Sequence, residues 1–244
     1  EARAVSTLPD NGGPRAAHGP ALFTTLHPHD AVIGPSFAGW HFDDRQADAQ
    51  KHHDHDGAQV TFKCENLQHT GSFKVRGPLA RFPWLTKEER MMGVLCASAG
   101  NHGKGLAWAA KRYGVHCTVC VPKTIPENKE KAIRKFGASV IKTPHASYDE
   151  TEKYAIEQAK KTGRVWISPY DDDHIQAGNG GTTALEIFED MHKKPDCIVV
   201  PVGGGGLAIG MGVVAKEISP KTKIIGVNTD ASPGHWLSRQ EKKA

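Results

Sequence analysis

The chain has 244 residues, 38% of them apolar, and a formal net charge of +4. That supports one large domain or two small ones around real cores, and the mild, dispersed positive balance argues against a nucleic-acid surface. No apolar run reaches the ~18 residues of a membrane span, and five cysteines without framework spacing fit a reducing compartment, so the expected location is the cytoplasm.

The start, Glu1 to Val5, carries neither an apolar signal core nor an initiator methionine and reads as a processed or truncated end. Asn11-Gly12-Gly13-Pro14 and its neighbours make residues 1–20 an expected disordered tail. Lys51-His52-His53-Asp54-His55-Asp56 gathers imidazoles and carboxylates without ordered ligand spacing, so a solvated polar loop is expected there and no metal site. Beyond it, strands are predicted at Val94–Ala97, Cys117–Val121, Ser139–Lys142, Val165–Ser168, Cys197–Val202 and Lys223–Val227. Helices are predicted at His102–Tyr113, Glu127–Phe136, Tyr148–Lys160, Thr182–Met191 and Leu207–Ile218, with Gly114, Gly137 and Gly163 where helices should stop. Strand and helix in alternation signify an α/β fold of parallel sheet flanked by helices. Cys117-x-x-Cys120 has the spacing of a redox or zinc half-site, but in a strand a separation of three points the two thiols to opposite faces.

Three motifs carry chemistry. In Glu65-Asn66-Leu67-Gln68-His69-Thr70-Gly71-Ser72-Phe73-Lys74, one lysine follows a polar turn among small and aromatic neighbours. A reactive lysine needs partial shelter from water, so that its amine is not permanently protonated. Ser98-Ala99-Gly100-Asn101-His102-Gly103 follows an apolar strand and opens a helix. Free backbone N–H groups at such a helix start suit a carboxylate, although a plain helix cap has the same look. Val202 then leads into Gly203, Gly204, Gly205 and Gly206, which separate a strand from a helix. Four consecutive glycines are costly to order, and a nest of N–H groups around a phosphate explains them better than a linker. The pattern is neither Gly-x-Gly-x-x-Gly nor a loop ending in Gly-Lys-Ser/Thr, and the strand after it closes on Asn228 and not on an acid, so a nucleotide is not expected.

One lysine, one carboxylate-binding turn and one phosphate nest, in that order, resemble the pyridoxal-phosphate enzymes of the tryptophan-synthase β fold type, and within them the serine/threonine dehydratase (threonine ammonia-lyase) family. The resemblance runs from Val60 to Pro233. It implies PLP fold type II: a larger cofactor-binding domain from 21–92 and 171–244, and a smaller α/β domain at 93–170. It implies that Lys74 binds pyridoxal 5′-phosphate through its amine and then acts as base, with Phe73 packed on the pyridine ring and Asn101 at the ring oxygen. Gly203, Gly204, Gly205 and Gly206 would hold the phosphate, while Ser98, Asn101 and His102 would hold the substrate carboxylate. The activity implied is α,β-elimination of water from L-threonine or L-serine to a 2-oxo acid and ammonia, in a homo-oligomer, expected as a dimer, without nucleic-acid or membrane partners. One methyl separates the two substrates, worth about 1–3 kcal/mol in a pocket, so both are expected to be accepted.

Resembling racemases carry a second serine after the first in the Ser-x-Gly-Asn-His turn; Ala99 stands there and has no proton to give. Serine racemase, β-replacement enzyme and non-catalytic cofactor-binding fragment are the alternative readings. Other departures concern Thr24-Thr25-Leu26, which lacks the proline of the usual Thr-Pro-Leu, and Ala177-Gly178-Asn179-Gly180-Gly181-Thr182, one residue longer than the family's Gly-Gln-Gly-Thr loop. Relatives that bind a divalent cation place a glutamate where Asn228 stands, so no metal is expected. By resemblance the chain is truncated at its C-terminus, and the group that hydrogen-bonds the pyridine nitrogen is expected beyond Ala244.

Overall fold

The computed structural model describes residues 2–5, 53–55, 58–231 and 233–241. The expected tail motif Asn11–Pro14, the segment Thr24–Leu26, and Lys51, His52 and Asp56 lie outside the described residues. In chain order the elements are strands β1 (Ala2–Val5), β2 (His53–His55) and β3 (Ala58–Val60), helices α1 (Arg76–Arg81) and α2 (Lys87–Met92), then β4 (Val94–Ala97), α3 (Asn101–Tyr113), β5 (Cys117–Val121), α4 (Glu127–Lys135), β6 (Ser139–Lys142), α5 (Tyr148–Thr162) and β7 (Val165–Trp166). After these come α6 (Asp173–Gln176), a π-turn at Ala177–Gly181, α7 (Thr182–Asp190), β8 (Cys197–Pro201), α8 (Gly206–Ile218), β9 (Lys223–Thr229) and α9 (Gly234–Gln240). Short 3-10 turns occupy Glu65–Leu67, Phe73–Val75 and Phe82–Trp84.

The described residues form two compact units, one of residues 53–179 and the other of residues 2–5 and 180–241. One unit holds a four-stranded parallel sheet in the order β6-β5-β4-β7. Both central strands are wholly buried, as parallel strands covered on two faces should be. Leu95 and Ala97 of β4 and Cys120 of β5 pack on Ala155 and Ala159 of α5. Strand alternation turns Val119 to the other face, where α3 lies so close that a Cβ on Gly103 would stand 3.1 Å from Val119 Cγ1. Gly114, Gly137 and Gly163 follow α3, α4 and α5 with φ of 65°, 93° and 69°, the left-handed turn that ends a helix.

Phe73–Val75 and α1 also pack on α3 in this unit. Helix α1 was not expected, because Gly77-Pro78 reads as a breaker. Pro78 lies in its first turn, where a missing N–H costs no intrahelical bond. The expected polar loop around His53 is also corrected: His53–His55 pairs antiparallel with Ala58–Val60.

The second unit contains β8 and β9, paired in parallel from Cys197↔Lys223 to Pro201↔Val227. Ala184, Ile198, Val200, Met211, Val214, Ala215 and Ile224 form its core between sheet, α7 and α8. A Cβ on Gly180 would collide with the Leu207 carbonyl and the Met211 amide, so the turn that leads into α7 is in backbone contact with the first turns of α8. β8 alternates, with Cys197, Val199 and Pro201 exposed and Ile198 and Val200 buried. Residues 2–5, expected within a disordered tail, form β1 antiparallel to β9. Among the described residues, no helix is long and apolar enough to cross a membrane.

Candidate active site

The turn before Lys74 is built by its own polar groups. Gly71 N donates to Gln68 O at 2.7 Å, and the Ser72 hydroxyl accepts from Lys74 N at 3.2 Å, starting the 3-10 turn that runs into α1. Buried Arg76 anchors the segment by donating from Nε and Nη2 to the two oxygens of Glu65, at 2.8 and 2.9 Å. A Cβ on Gly105 would collide with the Lys74 carbonyl, so α3 presses on the lysine's own backbone. Lys74 Nζ donates to the Pro169 carbonyl at 3.2 Å and stands 5.6 Å from the centre of the Phe73 ring. Burial lowers its pKa, since a cation loses water it cannot replace. A larger share of neutral, nucleophilic amine results.

The β4–α3 turn is closed by Ser98. Its hydroxyl accepts from Gly100 N at 3.2 Å and Gly103 N at 3.0 Å, which leaves its O–H free to donate. Asn101 opens α3 and is exposed. The first N–H groups of a helix have no intrahelical acceptor, so those of Asn101 and His102 point out of the helix start. The His102 ring is 3% exposed, and its Nε2 lies 3.3 Å from the Ile167 carbonyl, which requires the proton on Nε2. Its pKa is lowered to about 3, first by burial and then by the Lys74 charge. His102 therefore stays neutral, and toward a carboxylate it can offer its backbone N–H but no cationic ring. Its Nδ1, like Thr70 Oγ1, is buried without a hydrogen-bond partner among the described residues.

Phe73, Lys74, Ser98, Asn101 and His102 thus belong to one unit, and Gly203–Gly206 to the other. At the end of β8 the chain passes through exposed Gly203 and Gly204 to Gly205, the N-cap of α8, with φ 87° and ψ −25°. A non-glycine residue there would be strained. Nothing lies within 4 Å of where a Gly203 Cβ would be, so the loop leaves an open cradle before a helix of 13 residues with no acid in its first turn. The partly sheltered amine of Lys74 suits an aldehyde, and the glycine cradle, taken in its own unit, favours an anion such as a phosphate.

The sequence did not disclose Ile167 and Pro169, which act through carbonyls, or Asn179, whose Oδ1 accepts from Gly77 N at 2.8 Å just beyond Lys74. Ala177–Gly181 forms a π-turn between α6 and α7, a form that can hold an extra residue inside a helix. Cys117 and Cys120 are buried, and burial raises their pKa to about 12 and about 11, which makes them inert thiols. Among the described residues no three His, Cys, Asp or Glu side chains gather as a metal-binding group.

The chain belongs to the pyridoxal-phosphate dependent enzyme family, which matches residues 47–243. Within that family it is 43% identical over 188 residues to an L-threonine ammonia-lyase of Thermotoga maritima, a match that covers 77% of this chain and 46% of that protein. The processed form of threonine deaminase isoform 2 from Solanum lycopersicum superposes with a TM-score of 0.71 at 37% identity, covering 75% of this chain and 50% of that one. A serine racemase from Dictyostelium discoideum gives a TM-score of 0.71 at 37% identity, covering 77% and 60%. The chain spans about half the length of the curated relatives it matches.

Proposed function

We propose that this chain carries the lysine and phosphate motifs of a pyridoxal-phosphate-dependent L-threonine/L-serine dehydratase, which forms a 2-oxo acid and ammonia. The observation that carries the reading is Lys74: a partly buried amine with a lowered pKa, held 3.2 Å from the Pro169 carbonyl beside Phe73. The threonine ammonia-lyase and threonine deaminase relatives support the same reading.

The residues present fit the cofactor. Lys74 would bind it covalently, Phe73 would pack on its ring, Asn101 would meet its ring oxygen, and Gly203–Gly206 would hold its phosphate. When bound, pyridoxal phosphate supplies a sink for the electron pair left at the substrate's α-carbon. Lys74 Nζ accepts the α-proton, a role its lowered pKa favours. Ser98 donates its remaining O–H to the substrate carboxylate, and Asn101 and His102 contribute N–H groups from the start of α3. Ala99 cannot return a proton to the opposite face, so elimination is favoured over racemisation despite the racemase relative.

The proposal extends to the arrangement of the complete enzyme: a smaller domain at 93–170, within which all four strands β4 to β7 fall, a larger one from 21–92 and 171–244, a dimeric assembly and a cytoplasmic location. The test is an absorbance spectrum of the protein with pyridoxal phosphate, for wild type and Lys74→Ala, followed by L-threonine and L-serine. A Lys74-dependent band that decays with release of 2-oxo acid is expected. A folded protein without the band would overturn the lysine assignment. A band without turnover would leave a cofactor-binding fragment.

A further inference from the structure

Val202, the last residue before the four glycines, is held at three points. Its N–H donates to the Val227 carbonyl at 2.8 Å. Its side chain covers Gly226, where a Cβ would stand 2.9 Å from Val202 Cγ2. Its carbonyl accepts from the Asn228 side chain, Nδ2 to O, at 2.6 Å. The β8–β9 ladder registers its last pair at Pro201↔Val227, so the Asn228 amide secures the peptide that leaves the sheet.

That peptide contains the Val202 carbonyl and the Gly203 N–H. A trans peptide is planar and keeps the two antiparallel. The direction of the carbonyl therefore sets the direction of the first N–H of the loop. Gly203 has no neighbour within 4 Å of its Cβ position, and glycine tolerates either sense of a peptide flip, so local packing does not fix this direction. Asn228 is 5% exposed, and its Oδ1 is buried without a partner among the described residues. Among the described residues, the hydrogen bond its side chain makes is the one to Val202.

We infer that Asn228 is a positioning residue for phosphate binding: it orients the Gly203 N–H toward the anion by holding the Val202 carbonyl. This rests on the proposed phosphate role of Gly203–Gly206. The test compares affinity for pyridoxal phosphate and for pyridoxal, which has the aldehyde but no phosphate, in the wild-type chain, Asn228→Ala and Asn228→Leu. Leucine keeps the shape of asparagine and removes the unpaired acceptor, so that variant should fold even where alanine leaves a cavity. Loss of one oriented hydrogen bond to a charged group should weaken pyridoxal phosphate by about tenfold in both variants, with pyridoxal unchanged. Equal weakening of both ligands, an unchanged phosphate preference in a folded variant, or unfolding of both variants would overturn the inference and leave Asn228 a stability residue at most. A wild-type chain without phosphate preference would overturn the reading of the glycines together with it, whereas a preference that survives substitution would overturn the role of Asn228 alone.

Discussion

Gly105 and Lys74 are in backbone contact: the space a Cβ on Gly105 would take is filled by the Lys74 carbonyl. Helix α3 thus reaches the lysine from the same strand–helix unit that presents Ser98 and Asn101. Gly105→Ala should force these two backbones apart. Overpacking of this kind costs about 1–3 kcal/mol. Urea unfolding should show that loss, and the cofactor absorbance band should weaken with it. A variant as stable as wild type would mean that the contact yields without cost.

His102 predicts an acid-side loss of stability. Its folded pKa of about 3 lies below the ordinary 6.5 because the ring is buried. Between these values the unfolded chain holds a proton that the folded chain does not, so stability rises with pH across that window. The contribution is complete above about pH 6.5 and is lost as pH falls toward 3, at no more than about 1.4 kcal/mol per pH unit from one proton. Urea midpoints at pH 5 and pH 7.5 should differ less in His102→Gln than in wild type.

Replacing Lys74 with methionine should separate function from stability. A buried ammonium is disfavoured by lost hydration, and methionine fills similar space without charge. Lys74→Met should therefore abolish covalent cofactor capture while raising the thermal midpoint at neutral pH. A lower midpoint would show that the bond to Pro169 outweighs the cost of burying the amine.

Asn179→Ala should leave the buried Gly77 N–H without its 2.8 Å acceptor. An orphaned donor of this kind costs about 1–3 kcal/mol. The urea midpoint should fall accordingly, and an unchanged midpoint would mean that another acceptor takes over.

Thiol labelling should sort the five cysteines by burial. Cys197 is exposed, Cys64 is half-buried, and Cys96, Cys117 and Cys120 are buried. With a pKa of about 12, Cys117 is thiolate in about one molecule in ten thousand at pH 8. A thiol reagent at pH 8 should label Cys197 first and reach the three buried cysteines only on unfolding. Rapid native labelling of Cys117 or Cys120 would contradict their buried placement.

The parallel sheet was legible in the sequence because β4, β5 and β6 are compact β-branched or apolar runs, each separated by a helix that ends on glycine. The expected bounds of these strands agree with those observed. Helix α1 was hidden by Gly77-Pro78, and β2 by the polarity of His53-Asp54-His55, since local propensity yields to pairing and packing. Lys74, the Ser98 turn and the glycines could be proposed from the sequence because side chains, or their absence, would carry the proposed chemistry. Pro169 and Ile167 could not, because any residue could supply those carbonyls, and they lie 95 and 65 positions from Lys74 and His102.

The π-turn at Ala177–Gly181 bears on how this sequence can change length. One residue added to a continuous α-helix rotates everything after it by about 100°, which would swing Thr183 and Ala184 of α7 out of their buried positions. A wider turn can take up an added residue locally. Deletion of Gly181 should therefore tighten the turn while Thr183 and Ala184 keep their buried positions within their own unit.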